Sequence, residues 1–241
     1  MNERIDLPRR FAVPEDARRQ ALAKLLSSGA HQLRAPISAV RGAVELLSED
    51  LPKSGDVREL LAILERNLRR IETSVTDTAL FARLALGCIA LEKRDLVVKQ
   101  TIDAVVRAFE DAARRKCQRI DVEVDSLLRA VVDEAALFVI AAHLLDNALR
   151  FAPERTAVLL QAEVVDSALS LRVVDSGKGI PLADRARLVE PYEHRATPTD
   201  PESFGAGLGL AIVESLARLH GGALVLADAP GRGLEAAVTL R

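Results

Sequence analysis

Two apolar seams constrain this chain more than any other feature. Between Pro14 and Leu51, the residues Leu22, Leu26, Gly29, Leu33, Pro36, Val40, Val44, Leu47 and Leu51 recur at steps of three and four. From Val57 onward, Leu61, Leu64, Leu68, Ile71, Val75, Thr78 and Ala82 keep a strict alternation of four and three. Such spacing predicts two long helices, each with one apolar stripe. The link Pro52-Lys53-Ser54-Gly55-Asp56 supplies a breaker, a turn glycine and an N-cap candidate, so the helices are expected to form an antiparallel hairpin. A lone hairpin leaves each stripe half covered. Dimerisation into a four-helix bundle covers both, and docking on the following domain is the other solution.

After Gly87 the pattern alternates between strand-like and helix-like segments. Helices are expected at about Val97–Lys116, Asp133–Phe151 and Gly207–His220, and strands at Arg119–Val124, Ala157–Val165, Leu169–Asp175, Ala223–Ala227 and Leu234–Leu240. The spacing lacks the regular βαβ repeat of a parallel sheet, so the fold class is α+β with a mixed sheet. The boundaries that follow are an N-terminal tail over 1–13, a helical hairpin over 14–87 and a second domain over 88–241. Val189–Ala206, rich in Pro, Thr, Asp and Gly, reads as a long functional loop.

Composition excludes several functions. The 33 Lys+Arg against 35 Asp+Glu give a formal charge of -2, which offers no bulk attraction to nucleic acid or anionic membrane. Aromatic residues are 3% with no Trp, so base-stacking platforms are nearly absent. Cys88 and Cys117 have no Cys or His at metal-ligand spacing and are expected to be reduced core thiols. Met1–Arg10 is charged, and no run of 18 apolar residues occurs, so no signal peptide or membrane segment is expected and the chain reads as cytoplasmic.

Four short stretches carry chemistry. In Gly29-Ala30-His31-Gln32-Leu33-Arg34-Ala35-Pro36, His31 falls at the heptad position facing away from the seam, where its ring nitrogen is an available nucleophile. Arg34 and Ala35 lie one turn along the same face. In Leu144-Leu145-Asp146-Asn147-Ala148-Leu149-Arg150, an amide suited to Mg²⁺ precedes a guanidinium suited to phosphate. Val173-Val174-Asp175-Ser176-Gly177-Lys178-Gly179 ends an apolar strand in a carboxylate, which can accept from the exocyclic amine of adenine and meets an acceptor in guanine. Gly205-Ala206-Gly207-Leu208-Gly209 runs into an apolar helix, whose first N–H groups can cradle phosphates. No strand precedes that glycine run, against a dinucleotide fold, and no Gly-Lys-Ser or Gly-Lys-Thr is present for a Walker loop. Singly, each stretch also has an ordinary reading as surface histidine, helix polarity, turn or loop.

Their order resembles the core of a sensor histidine kinase, whose H, N, G1 and G2 boxes follow in this sequence over about residues 20–240. The second part also looks like the wider ATPase superfamily shared with gyrase, Hsp90 and MutL. The resemblance implies His31 as phosphoacceptor with Gln32 and Arg34 beside it, and Asn147 as Mg²⁺ ligand. It implies Arg150 on phosphate, Asp175 as adenine anchor, Gly177 and Gly179 as the base-side turn, and Gly205, Gly207, Leu208 and Gly209 on the phosphate side. Tyr192 and Arg195 fall where the family has an aromatic box. ATP and Mg²⁺ are the implied cofactors, and a homodimer and a response-regulator receiver domain the implied partners. Gln32 stands where an acidic residue is usual and cannot take the imidazole proton at neutral pH. Ala35 replaces a Thr or Asn tied to phosphatase action, implying a weak phosphatase, and His143 replaces the first asparagine of the N box. Two other functions fit parts of the pattern: an ATPase of the same superfamily without phosphohistidine, and a phosphotransfer scaffold that binds no ATP.

Overall fold

The computed structural model describes residues 17, 21–22, 32–33, 36–40, 42–43, 54–193 and 207–241. The chain divides into two compact units, Met1–Cys88 and Ile89–Arg241.

In the first unit every described residue before position 44 is helical. Helix α1 (Ser54–Ala85) follows and ends in a turn at Gly87, which has φ +66. Its start lies inside the segment expected to be the link. Gly55 is tolerated there because first-turn N–H groups have no intrahelical partner to lose. Among the described side chains, none of the second seam is buried. Asn67, Ser74, Asp77 and Phe81 are buried, whereas Leu68 and Val75 remain 49% and 51% exposed.

The second unit runs β1 (Lys93–Val97), α2 (Val98–Arg115), β2 (Arg119–Val124), β3 (Arg129–Asp133), α3 (Glu134–Phe151), β4 (Ala157–Val165), β5 (Ala168–Val174), α4 (Leu182–Leu188), α5 (Gly209–Leu219), β6 (Ala223–Asp228) and β7 (Leu234–Leu240). Its five-stranded sheet has the order β2-β4-β5-β7-β6, with β2 and β4 parallel and the other pairs antiparallel. Val158, Leu160, Leu169, Leu171, Val173 and Val238 alternate along the strands onto one buried face, the period that a sheet with one covered side requires. α3 packs between α2 and α5, and all three contact the sheet. This is the expected α+β class with a mixed sheet.

The antiparallel pair β1–β3 and the short helix α4 were not legible in the sequence. β1 begins Lys-Arg-Asp and is mostly exposed, so it lacks the alternation that marks a strand. An exposed ion pair, Arg129 Nη2 to Asp95 Oδ2 at 2.9 Å, joins the two strands. The cysteines differ from expectation too, because Cys88 and Cys117 are both free and exposed. Cys117 sits in the left-handed region (φ 51) in the turn after α2, outside the core.

A buried histidine joins three parts of this unit. Nδ1 of His220 donates to Leu216 O at 2.9 Å, and Nε2 accepts from Asp133 N at 3.3 Å, which fixes a neutral ring. Asp133 caps α3 through Ala136 N at 2.9 Å and accepts from Glu92 N at 2.7 Å. Burial lowers the His220 pKa below the ordinary imidazole value, against the opposing pull of the Leu216 carbonyl. Below about pH 6.5 the unfolded chain takes up a proton that the folded ring resists, so this group removes stability as pH falls and costs nothing above it. His220→Gln should therefore lower stability at neutral pH yet flatten its decline between about pH 7 and 5, as read by denaturant titration at each pH.

Candidate functional site

The site is built outward from the end of β5. Asp175 is 7% exposed, and its Oδ1 accepts from Gly177 N at 2.6 Å and Leu234 N at 3.4 Å. Its own N–H donates to Leu234 O at 3.0 Å, so the β5 end and the β7 start grip the same residue. Burial raises the carboxyl pKa, and the two N–H donors oppose that rise. No described residue donates to Oδ2, which leaves one acceptor oxygen for a ligand's donor.

The glycines around Asp175 are fixed by close approach. A Cβ on Gly177 would lie 2.8 Å from Asp175 Oδ1 and 2.8 Å from Phe151 O at the end of α3. Gly179 has φ +64, and a Cβ there would lie 2.9 Å from Gly233 O. Gly233, at φ +122, would place a Cβ 1.8 Å from Asp175 O. Gly233 was not singled out from the sequence, although the run Gly231-Arg232-Gly233 before an apolar strand marks a tight connection. Arg185 was missed as well. From α4 its guanidinium donates to Ile180 O at 2.9 Å and Leu226 O at 3.3 Å and pairs with Asp228, tying the glycine turn to β6.

α3 supplies the next wall. Asn147 is half-buried in its last turns, and Arg150 Nη2 pairs with Asp146 Oδ2 at 2.7 Å. One turn before Asn147, the His143 ring lies against the start of α5: a Cβ on Gly209 would fall 3.2 Å from Nδ1. Tyr192, at φ 66, donates its N–H to Gly207 O at 2.8 Å, which brings together the two ends of the segment 193–206. The Tyr192 hydroxyl is buried with no hydrogen-bond partner among the described residues, and burial pushes its pKa up to about 12. Leu208 is fully buried at the head of α5.

The structure thus gathers Asp175, Gly177 and Gly179 at the end of α3, and His143, Gly207 and Gly209 at the start of α5. Gln32 is helical and half-buried in the first unit. His31, Arg34, Ala35, Arg195 and Gly205 lie outside the described residues, as does the expected loop beyond Glu193 up to Ala206. Among the described residues no three His, Cys, Asp or Glu side chains form a cluster able to hold a metal ion alone. A lone amide such as Asn147 suits Mg²⁺ that arrives with phosphate oxygens, because that ion keeps most of its other ligands as water and substrate.

Two family descriptions match this chain. Residues 21–87 match the His Kinase A (phospho-acceptor) domain, and residues 132–241 match the histidine kinase-, DNA gyrase B- and HSP90-like ATPase. The chain belongs to the sensor histidine kinases. Sensor protein KdpD of Mycobacterium tuberculosis is 30% identical over 223 residues, covering 90% of this chain and 25% of that protein. The chain therefore spans about a quarter of that relative's length. Among solved structures, full-length ShkA in complex with AMPPNP is 28% identical with a TM-score of 0.65, covering 90% of this chain and 45% of that one. Histidine kinase ThkA in complex with response regulator protein TrrA has a TM-score of 0.72 at 22% identity, covering 94% and 64%, and shows a common fold.

The packing around Asp175 makes Gly233 a sensitive position. Gly233→Ala should destabilise the second unit by more than about 2 kcal/mol, because it combines a strained φ with a main-chain clash. Gly231→Ala, at φ +89 with nothing within 4 Å, is the control and should cost less. Thermal unfolding of the two variants measures the difference.

Proposed function

We propose that this chain is the ATP-dependent kinase core of a two-component sensor, which phosphorylates His31 and passes the phosphoryl group to an aspartate of a response-regulator receiver domain. The observation that carries the reading is Asp175: a buried strand-end carboxylate with one oxygen held by backbone N–H groups, in a chain that matches both domains of the family. That free oxygen is suited to an amine donor such as adenine N6 and repels the guanine carbonyl. The AMPPNP bound by ShkA supports an adenine nucleotide as the ligand.

In this reading a ring nitrogen of His31 attacks the γ-phosphorus in line. The N–P bond forms as the bond to the β,γ-bridging oxygen breaks, and ADP leaves with the electron pair. Gln32 orients the ring without taking its proton, and Arg34 stands on the same helix face. Asn147 would hold Mg²⁺, which supplies neutralisation of phosphate charge when bound. Arg150 exchanges its Asp146 partner for phosphate, and Gly205, Gly207, Leu208 and Gly209, with Tyr192 and Arg195, border the phosphates. Ala35 offers no group to position a water on an aspartyl phosphate, so reverse dephosphorylation by this chain is slow.

We assign residues 14–87 to dimerisation and phosphotransfer and 88–241 to nucleotide binding, with 1–13 as a tail. The half-exposed Leu68 and Val75, one heptad apart on α1, support a homodimer that covers them. A cytoplasmic site of action follows from the need for ATP; no helix among the described residues is long and apolar enough to cross a membrane.

Incubation with γ-labelled ATP should give an acid-labile, base-stable label, and His31→Gln should abolish it while leaving nucleotide affinity near normal. Label that is absent from the unsubstituted chain despite ATP hydrolysis would instead identify an ATPase. Asp175→Asn should weaken ATP binding about tenfold or more by calorimetry. The same substitution should raise the melting temperature, because it removes a carboxylate whose ionised form burial disfavours.

A further inference from the structure

The helix that carries Asn147 and Arg150 closes on Ala152 N, which donates to Ala148 O at 2.9 Å, and has no backbone donor for the next carbonyl. The carbonyl of Leu149 would normally accept from the N–H four residues on, but that residue is Pro153, which has none. Two side chains from the turn after α2 fill the gap. Lys116 Nζ donates to Leu149 O at 3.0 Å and to Arg150 O at 2.9 Å. Gln118 Nε2 lies 3.1 Å from Leu149 O, 3.0 Å from Ala152 O and 3.1 Å from Pro153 O. Gln118 is buried, and its Oε1 accepts no hydrogen bond from the described residues, so its amide meets α3 through the donor end alone. Between the clamped carbonyls lies Phe151 O, the atom against which Gly177 is packed.

We propose that Lys116 and Gln118 are positioning residues for the nucleotide: by capping α3 they fix Asn147 and Arg150 on the phosphate side and the Phe151–Gly177 contact on the base side. The inference rests on the kinase reading above. The physical case has two parts. A helix frays first in its last turn, where Arg150 sits, and five donor contacts from another element suppress that fraying. The Lys116 cation also offsets the negative end of the α3 dipole, which would otherwise disfavour a polyphosphate held by residues of the same turns.

Calorimetric binding of AMPPNP with Mg²⁺ to the whole chain tests this, with amide hydrogen exchange as a second readout. Lys116→Met and Gln118→Leu should each weaken binding roughly fivefold to tenfold, the scale of one lost hydrogen bond. Lys116→Arg, which keeps cation and donors, should stay within about twofold of the unsubstituted chain. The double variant should lose less than the product of the two, because both side chains share Leu149 O. Exchange at residues 149–152 should quicken in the Met and Leu variants while β4, β5 and β7 keep their protection, which separates local loosening from unfolding. If Gln118→Leu does not fold, the Lys116→Met and Lys116→Arg pair decides. Binding by the unsubstituted chain with affinity unchanged in the Met and Leu variants overturns the positioning role alone. Failure of the unsubstituted chain to bind overturns the kinase reading and this inference with it.

Discussion

A carboxylate buried at the end of a central strand is costly, and the second unit is arranged around keeping Asp175 there. Desolvation opposes its ionised form, and among the described residues two backbone N–H groups, from Gly177 and Leu234, offset that cost. Those donors come from a turn that must fold back within two residues and from a strand 59 positions further along the chain. The turn needs Gly177 and Gly179 because Phe151 O and Gly233 O occupy the space a Cβ would take. The strand connection needs Gly233 because Asp175 O occupies the same kind of space on the other side. Three glycines on two separate connections thus pack against Asp175 or against one another, and the Arg185 guanidinium holds the turn to β6.

What the sequence made legible follows from how local each cause is. β4, β5 and β7 show two-residue alternation and α3 and α5 are long apolar helices, so their types and approximate limits could be read directly. β1 and β3 could not, because a pair of short strands with charged, exposed residues is defined by pairing between distant stretches, from Lys93↔Asp133 to Val97↔Arg129, rather than by its own pattern. The glycines at 177, 179, 207 and 209 were visible as a motif, yet the atoms that crowd Gly177, Gly179 and Gly209 include ones from residues far along the chain. A Cβ on Gly209 would fall 3.2 Å from Nδ1 of His143, a residue of a different helix. Lys116 and Gln118 carried no signal, since their partners lie 31 to 35 residues away and a Lys-Cys-Gln turn is unremarkable by itself.

The helical unit poses the opposite problem to the sheet. In the second unit apolar alternation and burial coincide, whereas on α1 the buried positions Asn67, Ser74 and Asp77 are polar and the apolar Leu68 and Val75 stay half-exposed. Asn67 spends its amide on Ile63 O of its own helix at 2.8 Å, a local bond that adds little to tertiary stability. A helix that buries polar groups and leaves apolar ones half-exposed gains less from folding alone than its seam allows. The remaining apolar area becomes favourable only when a second surface covers it, which ties the stability of the phosphotransfer helices to their assembly. In the proposed homodimer, a change that alters how two copies pack along α1 acts on the same helices that present the phosphoacceptor. In that homodimer, coupling between assembly and chemistry would need no separate relay, because the incomplete burial of α1 would make the two interdependent.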